Sequence, residues 1–171
     1  MNKIIRATID HCDQLPEIAK ISFLDAHGTS APKGDIDAYI TKYFDRNAFL
    51  KELKNPENQY YLIYHENSLA GYSKTIFSVP NENISEQHVA KLERFYLLKE
   101  FYGSGLAGEL LNFNRKIAQE NNQKGIWLAV WVENHRAIQF YTKNNFRKVG
   151  SYDYQISATH ANPNHIMFLP F

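Results

Sequence analysis

The sequence predicts a mixed α/β (α+β) fold, one sheet flanked by helices, and three observations carry the prediction. Seven segments have strand length and composition, and helical segments alternate with them instead of forming a separate block. One of them, GIWLAVWV (125–132), is a continuous apolar run, the mark of a strand covered on both faces. A glycine-bearing turn, YGSGLAG (102–108), joins another, VAKLERFYLL (89–98), directly to a helix.

In chain order, KIIRATI (3–9) has strand character, with Asp10 as the turn or cap that ends it. Residues 13–25 place Leu15, Ile18, Ala19, Ile21, Phe23 and Leu24 at helical spacing. GTSAPKG (28–34) reads as a loop, and Asp35 then caps a helix carrying Ile36, Tyr39, Ile40, Tyr43 and Phe44. A short helix near 46–54 stops before Asn55-Pro56. QYYLIYH (59–65) and SLAGYSKTIF (68–77) form a hairpin about Glu66-Asn67. After the strand 89–98, a helix over 105–121 presents Leu106, Leu110, Leu111, Phe113 and Ile117 on one side. A further helix spans 135–144, and RKVGSYDYQIS (147–157) and NHIMFLPF (164–171) close the sheet. No repeat or linker interrupts the chain, so residues 1–171 read as one domain.

Composition narrows the function classes. Apolar residues make up 44% and aromatic residues 14%, enough for a packed core. A net charge of +1 implies no nucleic-acid or anionic-membrane partner. The lone cysteine, Cys12, allows no internal disulfide and reads as a buried structural thiol in a reducing compartment. No run approaches the roughly 18 apolar residues of a membrane span, and MNKIIRATIDHCDQLPEI lacks a signal-peptide core, so a cytoplasmic location is expected. The His residues are scattered without metal-ligand spacing, and no metal is expected. Trp127 and Trp131 share one face of a buried strand and read as core.

The turn holding Gly103, Gly105 and Gly108 is the most informative segment. A strand-to-helix bend rich in small residues leaves backbone N–H groups free and converging, backed by the positive end of a helix dipole, which suits phosphate. GSGLAG also fits the G-x-G-x-x-G dinucleotide fingerprint, with Glu133 downstream. That reading fails because Glu93 and Arg94 interrupt the preceding strand and little chain remains after Glu133 for a parallel framework.

The strand, the YGSGLA turn and the helix resemble motif A of the GNAT N-acetyltransferase superfamily, Arg/Gln-x-x-Gly-x-Gly/Ala. Gly105 and Ala107 take the small positions, and Tyr102 stands where Arg or Gln is usual. VWVENHRAIQFYTKNNF resembles the family's N-x-x-A-x-x-F-Y-x-x-x-G-F, matching at Asn134, Ala137, Phe140, Tyr141 and Phe146, with Asn145 replacing Gly. LERFYLL, GIWLAVWVEN and AIQFY are most similar to the bacterial PaiA-type branch, which resembles spermidine/spermine acetyltransferases.

The resemblance implies a GNAT fold: a mixed, mostly antiparallel sheet of six to seven strands, splayed between the fourth and fifth. It implies acetyl-CoA as co-substrate, with no metal. Its pantetheine would pair with backbone near Leu97 and Leu98, and its diphosphate would rest on N–H groups of Tyr102, Gly103, Gly105, Ala107 and Gly108. Asn134 would touch the coenzyme while capping its helix, and Ala137 would be small to let the coenzyme pass. Tyr141 stands at the family's general-acid position. Glu93, interrupting an apolar strand beside the cleft, is the candidate base. The expected activity is acetyl transfer to a primary amine, either a small amine or a polyamine. A protein N-terminus, an amino acid and an aminoglycoside remain alternatives, as does a non-catalytic acyl-CoA sensor. Homodimers fit the family.

Overall fold

In the computed structural model, which describes residues 1–171, the strands are β1 (Asn2–Arg6), β2 (Gln59–His65), β3 (Ser68–Ile76), β4 (Ala90–Leu97), β5 (Gly125–Trp131), β6 (Arg147–Gln155) and β7 (Ala161–Pro170). The helices are α1 (Gln14–His27), α2 (Lys33–Tyr43), α3 (Arg46–Lys54), α4 (Leu106–Glu120) and α5 (His135–Lys143). The strands form one seven-stranded sheet in the order β1-β2-β3-β4-β5-β7-β6. Every neighbouring pair is antiparallel except β4 and β5. This is the mixed, mostly antiparallel sheet with flanking helices that the resemblance implies. The antiparallel β3–β4 pair also removes the all-parallel framework that a dinucleotide fingerprint needs.

Local chemistry accounts for most element ends. Glu66 and Asn67 both take positive φ, 47° and 70°, the pattern of a two-residue hairpin turn. Asn145, where the family motif has Gly, sits at φ 68° after α5, a conformation Asn tolerates. Three ends differ from expectation. The first strand stops at Arg6, because Thr8 caps a 3-10 turn over Ile9–His11 and puts Asp10 inside it. α2 begins at Lys33 behind Pro32, whose fixed φ suits a helix start, so Asp35 lies within the first turn and is not the cap. β7 begins at Ala161, ahead of the apolar run, because buried Asn162 is satisfied by Ser30 and His160.

Helices cover both faces of the sheet. Leu15, Ile18, Phe23, Ile36, Phe44 and Phe49 from α1–α3 and their flanks pack on Tyr60, Leu62 and Tyr72. On the other face, Leu111 and Ala118 of α4 and Tyr141 of α5 pack on Ile126, Leu128, Val130, Met167 and Leu169. Buried Asn114 of α4 is satisfied by Ser73, Thr75 and the Leu110 carbonyl. Cys12 is buried, 3% exposed. Trp127 packs in the core and donates its indole N–H to the Val79 carbonyl at 2.8 Å.

The decisive feature lies at mid-sheet. β4 and β5 pair only at Ala90–Ile126 and Lys91–Trp127, and then separate. β4 also carries a bulge: Lys74 faces Arg94 and Thr75 faces Leu92, leaving Glu93 without a partner on β3. An extra residue bends its strand. Here the bend coincides with the place where the sheet opens.

Candidate active site

The gap between the strands is a cleft of about 260 Å³. Its walls come from Leu92, Phe95 and Leu97 of β4, Leu128 and Val130 of β5, and Ala137, Phe140 and Tyr141 of α5. Leu98 donates its N–H to the Ala70 carbonyl at 2.8 Å and lies outside the lining. Strand alternation therefore turns the amides of Phe95 and Leu97 the other way, to the edge that β5 has left. An extended chain with alternating donors and acceptors can bind that edge as a strand would.

The turn before α4 closes one end. Gly103 and Gly105 hold φ of 78° and 87°, conformations that favour glycine. Tyr102 N–H donates to the Lys99 carbonyl at 3.1 Å, and Ser104 N–H to the Phe101 carbonyl at 3.3 Å. The N–H groups of Gly103, Gly105, Ala107 and Gly108 make no internal hydrogen bond. They stand at the positive end of a 15-residue helix, an arrangement that binds anions. A Cβ on Gly103, Gly105 or Gly108 would meet no atom within 4 Å. Packing therefore does not demand glycine at these positions. Gly108 sits just beyond the lining residues, within the first turn of α4. Tyr102 contributes its ring, which carries the Arg136 guanidinium 3.4 Å from its centroid. A cation from α5 thus stands at the turn whose own position 102 lacks one.

On α5, Asn134 accepts the Ala137 N–H at 3.2 Å, the capping role, and both residues also line the cleft. Tyr141 is 7% exposed and packs against Phe140, Phe146 and Phe95. Burial pushes its phenol well above the ordinary tyrosine range, and nearby Arg136 offsets this only in part. The group keeps its proton at neutral pH and presents it to the cleft.

A second cavity of about 570 Å³ opens on the α1–α2 side of the sheet. Six residues line both spaces: His27, Leu92, Glu93, Tyr96, Ala129 and Trp131. The two cavities therefore meet at the splay. Glu93 pairs with the buried Lys74 ammonium and lies 3.3 Å from Lys91. Burial would raise its carboxyl, but Lys74, with Lys91 and Arg94 behind it, prevails and holds it below the usual carboxylate range. Lys74 also pairs with Glu52 at 2.6 Å. Burial lowers His27 to about 4, so its imidazole is neutral, with Nε2 3.4 Å from the Tyr96 hydroxyl.

The cleft and its turn thus gather Tyr141, Glu93, Leu97, Tyr102, Gly103, Gly105, Ala107, Asn134 and Ala137, with Leu98 and Gly108 just outside. Sequence reasoning assigned no role to Lys74, Arg94 or Arg136, and Trp131 proves to be cavity wall. Lys74 and Arg94 did leave a trace, as charges inside apolar strands; Arg136 left none.

Comparison with known proteins follows the same geometry. The sequence model of the Acetyltransferase (GNAT) family matches residues 13–146. An uncharacterized N-acetyltransferase from the pepI 3' region of Lactobacillus delbrueckii subsp. lactis is 24% identical over 147 residues, covering 85% of this chain and 84% of that protein. An uncharacterized N-acetyltransferase of Mycobacterium bovis is 24% identical over 150 residues, covering 88% and 92%. Among solved structures, the PaiA N-acetyltransferase from Thermoplasma acidophilum in complex with coenzyme A superposes with a TM-score of 0.76 at 19% identity, over 100% of this chain and 99% of that one. The ribosomal-protein-S18-alanine N-acetyltransferase from Escherichia coli gives 0.71 at 16% identity, over 99% and 94%. At these identities the structural likeness shows a shared fold.

Proposed function

Since this chain belongs to the acetyltransferase (GNAT) family and is an acyltransferase, we propose that it moves acetyl from acetyl-CoA directly onto the primary amine of a small molecule. The observation that carries the reading is the meeting of two cavities at the splay, one edged by free strand amides, the other open to an acceptor. The Thermoplasma acidophilum relative, solved in complex with coenzyme A, supports the choice of donor.

In this reading the amides of Phe95 and Leu97 hold the pantetheine arm. The free N–H groups of Gly103, Gly105, Ala107 and Gly108 hold the diphosphate, and Arg136 on Tyr102 supplies the cation that the turn lacks. Each hydrogen bond to a charged group contributes about 1.5–3 kcal/mol, so several suffice for micromolar binding after ordering costs. The thioester supplies an activated acyl group. An alkyl ammonium has a pKa of about 10.4, and only its neutral form attacks a carbonyl. A carbon–nitrogen bond forms and the carbon–sulfur bond breaks; Tyr141 gives its proton to the departing sulfur, and the proton shed by the newly acylated nitrogen restores the phenol by way of solvent.

The polyamine branch of this reading rests on the likeness of LERFYLL and AIQFY to the PaiA type, and the PaiA structure shares the fold. The lining cations of the second cavity, Lys74, Lys91 and Arg94, are matched in number by Glu52, Glu82 and Glu93, so its overall charge does not choose between a monoamine and a polyamine. Calorimetry with acetyl-CoA, followed by CoA release with monoamines, spermidine, amino acids, an aminoglycoside and a short peptide, tests the proposal. Binding without release for any amine identifies a non-catalytic acyl-CoA sensor. No heat from acetyl-CoA or CoA on folded protein refutes the assignment.

A further inference from the structure

We infer that the acceptor cavity holds a carboxylate, carried by the same molecule as the reacting amine, on the guanidinium of Arg94. The inference deepens the proposal above and rests on it. Arg94 follows the Glu93 bulge and faces the second cavity, its guanidinium 5.1 Å and 5.4 Å from the ring centroids of Phe44 and Phe49. Its Nη1 donates to the Tyr60 hydroxyl at 3.0 Å. A guanidinium carries five N–H donors. None of the chain's ion pairs includes Arg94.

Of the other charges of the cavity wall, Glu82 is a carboxylate on the 80–89 loop with no ion pair, and the rest are committed to one another. Lys74 takes Glu52 and Glu93, and Lys91 takes Glu93. Glu52 reaches Arg94 only through the Tyr60 hydroxyl, which donates to Glu52 at 3.0 Å and accepts from Arg94. A cation among phenyl rings with one neutral partner is an expensive arrangement to leave incomplete. Its planar fork matches a carboxylate, and the cavity is where such a partner enters. The Tyr39 and Tyr154 hydroxyls, 2.5 Å apart, line the same space. Two hydroxyls sharing one hydrogen bond keep a second O–H free to donate to the same anion. A polyamine would instead bring further ammonium groups against the unpaired Arg94 guanidinium.

The test titrates CoA-saturated protein by calorimetry with free amino acids, their carboxamides and spermidine. At least one amino acid should bind, and its carboxamide should bind about tenfold or more weakly, the weight of one charge-assisted pair. Arg94→Gln should erase that difference while CoA affinity stays unchanged, and Arg94→Lys should keep part of it. If Arg94→Gln does not fold, the wild-type comparison and Arg94→Lys decide. Carboxamides or spermidine binding as tightly as carboxylates, a difference that survives Arg94→Gln, or no heat from any amino acid overturns the inference. CoA release from acetyl-CoA is followed in parallel. Carboxylate-selective binding without release refutes the transferase and leaves the anion site; release with carboxamides alone does the reverse.

Discussion

Replacing Gly108 by alanine should stabilise the protein and weaken its hold on acetyl-CoA. Gly108 is in the first turn of α4, and an added Cβ meets nothing within 4 Å. Glycine in a helix costs roughly 0.5–1 kcal/mol relative to alanine, so the folded state gains about that much. For a chain of this size the melting temperature should rise by about 2 °C. The Gly108 N–H is nevertheless one of four unpartnered donors at the turn. If they hold the diphosphate, crowding or tilting one such contact removes about 1.5–3 kcal/mol, which is roughly 10- to 100-fold in affinity. Gly105→Ala is the matched control. At φ 87° a side chain is strained, by about 1–2 kcal/mol, so this variant should melt lower and also bind more weakly. Thermal unfolding and calorimetric titration with acetyl-CoA, run on both variants, read the two effects separately. A Gly108→Ala protein that melts higher and binds acetyl-CoA like wild type would refute the cradle at that residue.

Other perturbations separate catalysis from packing. Tyr141→Phe should lower turnover at least about tenfold with acetyl-CoA affinity intact, and an unchanged rate removes the acid role. Gly71→Ala would place a Cβ 2.3 Å from Leu97 Cδ2 and 2.4 Å from the Tyr96 carbonyl oxygen, so the variant should lose about 1–3 kcal/mol in urea unfolding. A wild-type midpoint would show that β3 and β4 yield more easily than their geometry implies. Burial holds His27 at about 4 against an ordinary 6.5, so between those values the unfolded chain binds the extra proton. Its neutral form is fully tolerated above pH 6.5, and stability falls by up to roughly 3 kcal/mol as pH drops toward 4. His27→Phe should flatten that slope in urea titrations; parallel curves exclude His27 as its source.

What could be read in advance was local. The 125–132 run announced a covered strand by its unbroken apolarity, and Glu66-Asn67 announced a hairpin because few pairs tolerate two positive φ values. Gly103 and Gly105 marked the cradle by the same logic. What escaped was long-range. The charge missing at Tyr102 is matched by Arg136, a partner 34 residues away, which nothing around Tyr102 foretells. Lys74 and Arg94 are opposed across the β3–β4 ladder, yet one is neutralised and the other is not. That difference depends on Glu52 of α3, far away in sequence. His27 titrates low because α1 delivers it against Tyr96 and Trp131, a packing event with no periodic signal.

The same long-range pairing bears on who takes the proton from the amine. Glu93 stands where both cavities meet, the right place for a base. Its lysine partners hold it below the ordinary carboxylate range, which makes it a poor acceptor from an ammonium of pKa about 10.4. A paired Glu93 instead keeps the buried Lys74 neutralised, although its own side chain is 29% exposed, and leaving a buried charge without its partner costs up to roughly 3–5 kcal/mol. Lys74 retains Glu52, so the loss should fall at the low end of that range. The amine would then lose its proton to solvent before it reaches the thioester. The pH dependence of kcat/KM distinguishes the two cases. With solvent as the acceptor, the rising limb follows the pKa of the amine. Exchanging one accepted amine for a close analogue of lower pKa then shifts that limb by the same amount, in wild type and in Glu93→Gln alike. If Glu93 is the base, its replacement by Gln should cost about 10²-fold or more, and the limb should stay fixed when the amine is changed.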